Sequence, residues 1–87
     1  MAASLTLPVL IFAGGLGEAR AYAEENRLGR HWVFVRDPDQ ARYLPARSVA
    51  ILPGFTRNTR YGLLAPLAEV LEAEHGPHVP ITATSKG

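Results

Sequence analysis

The stretch "LIFAGGLGEAR", residues 10–20, decides the fold. It closes the run Pro8-Val9-Leu10-Ile11-Phe12-Ala13, which is apolar throughout rather than alternating, the pattern of a central parallel strand covered on both faces. Gly14 and Gly15 stop the run and Gly17 follows. Over residues 17–28 the composition turns to Ala and Glu, good helix formers, and Gly29 stands where a left-handed C-terminal cap is common. Leu16, Ala19 and Ala23, with Tyr22 beside them, predict an inner face of mostly small residues that lets this helix lie close to a sheet.

Working outward, His31-Trp32-Val33-Phe34-Val35-Arg36 is aromatic and β-branched and reads as a second strand. Asp37-Pro38-Asp39-Gln40 opens a short helix: Asp37 can cap, Pro38 suits the first helical position, and Gln40 stands where a capping-box partner reaches back. Pro45 ends it soon after Leu44. Ser48-Val49-Ala50-Ile51-Leu52 is a third strand, stopped by Pro53-Gly54. A polar loop leads to a third helix starting near Gly62 to Leu64 and ending near His75-Gly76, with Pro66 acceptable only in its first turn. Its expected apolar stripe is Leu63, Leu64, Leu67, Ala68, Val70 and Leu71, with Glu69, Glu72 and Glu74 toward water. His78-Val79-Pro80-Ile81-Thr82 suits a short fourth strand, confined to an edge by Pro80, and residues 83–87 read as a frayed tail. The order β-α-β-α-β-α, closed by that short strand, predicts a single α/β domain over residues 1–87. Its architecture is a minimal Rossmann-like or flavodoxin-like sandwich with a mostly parallel sheet and right-handed crossovers.

Composition narrows the function classes. The chain has 87 residues, 47% hydrophobic and 20% charged, enough for one modest core and too ordered in composition for a disordered segment. Nine basic against eight acidic side chains leave a net charge of +1, so no global field draws the protein to nucleic acid or an anionic membrane. Cysteine is absent, which excludes disulfides and thiolate ligands and favours a cytoplasmic setting. The apolar segment at residues 5–16 is too short to span a bilayer, and no basic residue precedes it as a signal peptide requires.

In an open α/β sheet, ligands settle outside the carboxyl ends of the strands, where three loops of this chain should meet. A nucleotide or phosphate reading uses Gly14, Gly15 and Gly17 to bring backbone near an anion, Asp37 to meet a ribose hydroxyl, and Arg57 to add charge. The fingerprint is incomplete: Arg20 stands where a third small residue belongs, and Glu18 puts negative charge beside any phosphate. The competing reading makes the glycines a tight strand-to-helix turn and Asp37 a helix cap, and it is preferred. No Gly-Lys-Ser/Thr follows the glycines, and no Ser, His and Asp set suggests a nucleophile with its base, so neither a P-loop nor catalysis is expected. His75 and His78 flank a Gly-Pro turn but make a poor metal pair and read as surface residues. Tyr22, Trp32, Phe34, Tyr43, Phe55 and Tyr61 read as core and rim rather than base-stacking platforms. Arg42, Arg47, Arg57 and Arg60 read as a solvated face before a basic patch. The loop with Phe55, Arg57, Asn58, Arg60 and Tyr61 combines residue types suited to a protein interface, which predicts a non-catalytic binding module with no cofactor. The sheet edge at Val79 to Thr82 offers a route to a homodimer.

The run "EARAYAEENRLGRHWVFVRDPDQARYL", residues 18–44, resembles small uncharacterised α/β proteins encoded by actinobacterial phages. The matching residues are Ala21-Tyr22-Ala23, Gly29, Trp32 and Asp37-Pro38-Asp39-Gln40; the departure is "PGFTRNTRYG", where that pattern carries more aromatic residues. The resemblance implies a non-enzymatic accessory protein that binds and redirects a host protein in the bacterial cytoplasm.

Overall fold

The computed structural model describes residues 7–42 and 44–79. Strand β1 (Val9–Phe12) is followed by helix α1 (Leu16–Glu25), β2 (Trp32–Phe34), α2 (Pro38–Arg42), β3 (Ser48–Ile51), a 3₁₀ turn (Pro53–Arg57) and α3 (Tyr61–His75). The strands form one all-parallel sheet in the order β2-β1-β3, Val9 facing Trp32 on one side and Ser48 on the other. Every residue of β1 is fully buried, as its unbroken apolar sequence predicts.

Because β2 and β3 lie on opposite sides of β1, two right-handed crossovers must carry α1 and α2 over opposite faces. The core divides accordingly. Val9, Ile11 and Ala13 pack with Ala19 and Ala23 of α1, while Leu10 and Phe12 pack with Ala41 of α2 and Leu64, Ala68 and Leu71 of α3. Alternate side chains of one strand thus serve two cores.

Local detail departs from the sequence reading in several places. Helix α1 ends at Glu25, not near Leu28, because Leu28 is drawn into the core beside Ala23: its amide donates to the Ala23 carbonyl at 2.9 Å and that of Arg27 to Glu24 at 3.2 Å. This is a Schellman closure with Arg27, not a glycine, in the left-handed position (φ 54°); Gly29 supplies a second left-handed turn. Leu16 is exposed at the start of α1, so the small inner face is Ala19 and Ala23 with Tyr22 at its margin.

Pro53–Arg57, read as loop, is a 3₁₀ turn that buries Phe55. Helix α3 begins at Tyr61, because the Asn58 carbonyl accepts the Tyr61 amide and the Arg60 carbonyl accepts those of Leu63 and Leu64. Pro66 therefore sits beyond the first turn and offers no amide hydrogen to the carbonyl of Gly62, which is exposed. The buried stripe is Leu64, Ala68 and Leu71, with Leu67 partly covered; Leu63 and Val70 face outward. Beyond α3 the chain makes one parallel bridge, Pro77 to Val49, in which the Val49 amide donates to Gly76 and the His78 amide to Val49. Tyr43, positions 80–82 of the expected fourth strand and the tail 83–87 lie outside the described residues.

Candidate functional site

The carboxyl ends of the strands bring together the loops after β1, β2 and β3, and β1/β3 is the crevice where the strand order reverses. That crevice holds the chain's own carboxylate. Glu18, in the first turn of α1, accepts the Gly14 amide at 2.8 Å through Oε1 and the Gly54 amide at 2.9 Å through Oε2. The glycines permit this approach: a Cβ on Gly14 would stand 2.5 Å from the Gly54 carbonyl oxygen, and one on Gly54 would collide with the Glu18 carboxylate. Gly15 and Gly17 have open space where a Cβ would go, and Gly15 is extended, a conformation any residue adopts.

Two further side chains lock the loops. Asn58 donates through Nδ2 to the Ala13 carbonyl at 2.8 Å and accepts the Arg60 amide at 2.7 Å, tying the segment after β3 to the end of β1. Arg60 reaches from the start of α3 to the Arg36 carbonyl, 3.1 Å from Nη1, tying it to the end of β2. Asp37 is engaged as the cap of α2, accepting the Gln40 amide at 2.9 Å, while Gln40 reaches back past Asp37 to accept the Arg36 amide at 2.8 Å.

Of the residues expected at an interface, Phe55 is buried: its ring meets Phe12 edge-on at 5.4 Å and Tyr61 at 4.9 Å. Tyr61 is 39% exposed and so stands at the rim, its ring braced from below. Arg36, Arg57 and Arg60 are exposed, Arg36 lying over the Phe34 ring at 5.8 Å. Two shallow clefts flank the glycines. One, of about 380 Å³, lies between Glu18, Gly54 and Arg57; the other, of about 320 Å³, lies between Phe34, Arg36, Thr59 and Arg60. Gly14, Gly15, Arg36, Arg57 and Arg60 are thus brought together, whereas Asp37 faces its own helix and Gly17 lines neither cleft.

No protein-family model, curated protein or solved structure matches the chain. Among the described residues, no helix is long and apolar enough to cross a membrane, and no group of three or more His, Asp or Glu could hold a metal ion. His75 lies beside Glu74, and His78 is engaged elsewhere: the Tyr22 hydroxyl lies 2.5 Å from its Nδ1, the two rings edge-to-face at 5.6 Å. Burial pushes the Tyr22 phenol above its ordinary pKa and the His78 imidazole below its own, with Arg47 lowering His78 further.

Sequence reasoning missed two of these arrangements. Glu18 stands three residues after the Gly15 cap, the spacing from which a capping-box side chain reaches back, so its hold on Gly14 was open to inspection. Its hold on Gly54, 36 residues away, carries no local signal. The same holds for the Tyr22–His78 pair, separated by 56 residues.

Proposed function

We propose that this protein is a non-catalytic binding module that recognises an acidic segment of a partner protein through the rim formed by Arg36, Arg57, Arg60 and Tyr61. One observation carries the reading: among the described residues the single carboxylate lining the two clefts, Glu18, is turned into backbone amides, while Arg36, Arg57, Arg60 and a braced tyrosine are exposed. Arginine and tyrosine are the residue types that dominate binding energy at protein interfaces, and a ring held from beneath loses little freedom on binding. The interlocked loops add rigidity of the same kind. The resemblance to phage proteins supports a bacterial host protein as partner and the host cytoplasm as the place of action.

The alternative, a nucleotide or phosphate held by Gly14, Gly15, Gly17, Asp37 and Arg57, has less support. The amides of Gly14 and Gly54 that would face a phosphate already donate to Glu18, and Asp37 accepts from Gln40. Affinity capture from a bacterial lysate, with the retained protein identified and its binding measured by titration, tests the reading. Combined Arg57→Ala and Tyr61→Ala is expected to weaken that binding by about 2 kcal/mol or more, roughly thirtyfold. Equal binding by the variant, or no retained protein, counts against it. A rise in melting temperature with ATP, NAD or inorganic phosphate would favour the alternative instead.

A further inference from the structure

Helix α3 carries a second, apolar surface that meets the rim at Arg60. Leu63, Pro66 and Val70 recur at i, i+3 and i+7 and so share one side of the helix, away from the buried stripe of Leu64, Ala68 and Leu71. Leu63 is 66% and Val70 55% exposed, large for apolar side chains arranged in line rather than scattered. Half-buried Leu67 borders this side, and exposed Ala73 continues it. The charges at its ends are opposite. Arg60 and the positive end of the helix dipole stand at the N-terminal end; Glu74, its side chain 63% exposed, and the negative end of the dipole stand at the other.

From this pattern we infer that α3 is a homodimer interface, formed by antiparallel packing of α3 on α3 of a second copy about a two-fold axis near Pro66 and Leu67. The arrangement is self-complementary, as an isologous contact must be. An antiparallel pair centred there sets Leu63 against Val70 of the other copy and Val70 against Leu63. It sets Arg60 against Glu74 twice, once at each end, and places the positive end of each helix dipole beside the negative end of the other. Arg60 donates through Nη1 to the Arg36 carbonyl, and its remaining N–H groups are enough for a carboxylate. Small Ala73 lets the Arg60 stem of the other copy pass. Like charges would meet in a parallel pair, so the charge pattern selects the antiparallel one.

The helix has 15 residues and is about 22 Å long by its rise per residue, so one helix face buries less than the roughly 800 Å² per partner of a standard interface. Such a contact falls in the class of weak, transient interfaces. Arg60 is common to this surface and the rim, but the apolar positions that carry the contact reach away from the rim, Val70 lying about 13 Å along the helix from Tyr61.

Sedimentation equilibrium of the full chain from about 1 to about 500 µM, a range that spans weak association, tests it. The average mass is expected to climb toward two chains. Val70→Glu and Leu63→Glu, whose side chains are exposed in the monomer, should keep the far-ultraviolet circular dichroism and raise Kd at least about tenfold. Glu74→Arg should also weaken association, and Arg60→Glu with Glu74→Arg in one chain should recover it relative to Glu74→Arg alone, a rescue that loss of fold does not produce. A chain that stays monomeric throughout overturns the inference. So does a dimer insensitive to Val70→Glu and Leu63→Glu, which would belong to another surface such as the sheet edge.

Discussion

Glu18 satisfies two loop amides with its two oxygens, and Gly14 and Gly54 are the residues that let the loops come near enough for it to do so. Hydrogen bonds to a charged group stabilise by about 1.5–3 kcal/mol each when shielded, less where water reaches them. Glu18→Ala is accordingly expected to cost about 1–3 kcal/mol in urea denaturation. The two glycines should then separate. The three atoms nearest a methyl group on Gly54 all belong to the movable end of Glu18, so Gly54→Ala costs about as much as losing the carboxylate's bonds and becomes nearly neutral, within about 0.5 kcal/mol, once Glu18 is alanine. A methyl group on Gly14 meets the Gly54 carbonyl, which cannot swing aside, so the cost of Gly14→Ala persists in either background. Equal behaviour of the two glycines in the cycle would contradict this account. The glycine pair was legible as a tight turn from sequence; its true neighbour was not, because Gly54 enters from the 3₁₀ turn after β3.

At the scale of elements, α1 and α2 begin alike. In each, the third helical residue reaches back to the amide just before the cap: Glu18 to Gly14 and Gln40 to Arg36, both at 2.8 Å. The Asp37-Pro38-Asp39-Gln40 signal was readable because every part of it is local, although Gln40 takes the amide one residue earlier than the usual box. Helix ends were less legible. Gly29 is the obvious left-handed residue in the sequence, yet the helix closes at Arg27 because burial of Leu28 in the core sets where the chain must turn. A left-handed arginine is disfavoured by roughly 1 kcal/mol relative to glycine. Arg27→Gly is therefore expected to stabilise the fold by about 0.5–1 kcal/mol, a rise of about 2–8 °C in Tm for a domain of this size. An unchanged or lower Tm would count against the left-handed closure. The outward turn of Leu63 and Val70 was likewise hidden, because α3 offers more apolar residues than one buried stripe can take.

For the whole molecule, the unbroken apolar run of β1 made the central parallel strand and the covered faces legible, and alternating strands and helices supplied the rest of the layering. The tie between chain ends was not legible: Tyr22 on α1 meets His78 beyond α3, so the last described turn is held to the far face of the sheet. With the imidazole neutral at Nδ1, the phenol donates to it. Folding holds the His78 pKa below its ordinary value, so the unfolded chain binds that proton more readily. Its contribution is complete above about pH 6.5 and is lost as pH falls through that value toward the lowered one. Between about pH 7 and about pH 5, where histidine titrates, Tm should fall more steeply in the native chain than in His78→Asn; parallel curves would sink the prediction. The Glu18 clamp also bears on how the protein meets small anions in a cell. A carboxylate tethered beside its two donors acts at an effective concentration of millimolar or higher, against which a free competitor must bind. The crevice thus resembles a receptor delivered with its ligand attached, its two amide donors already engaged by the chain's own carboxylate.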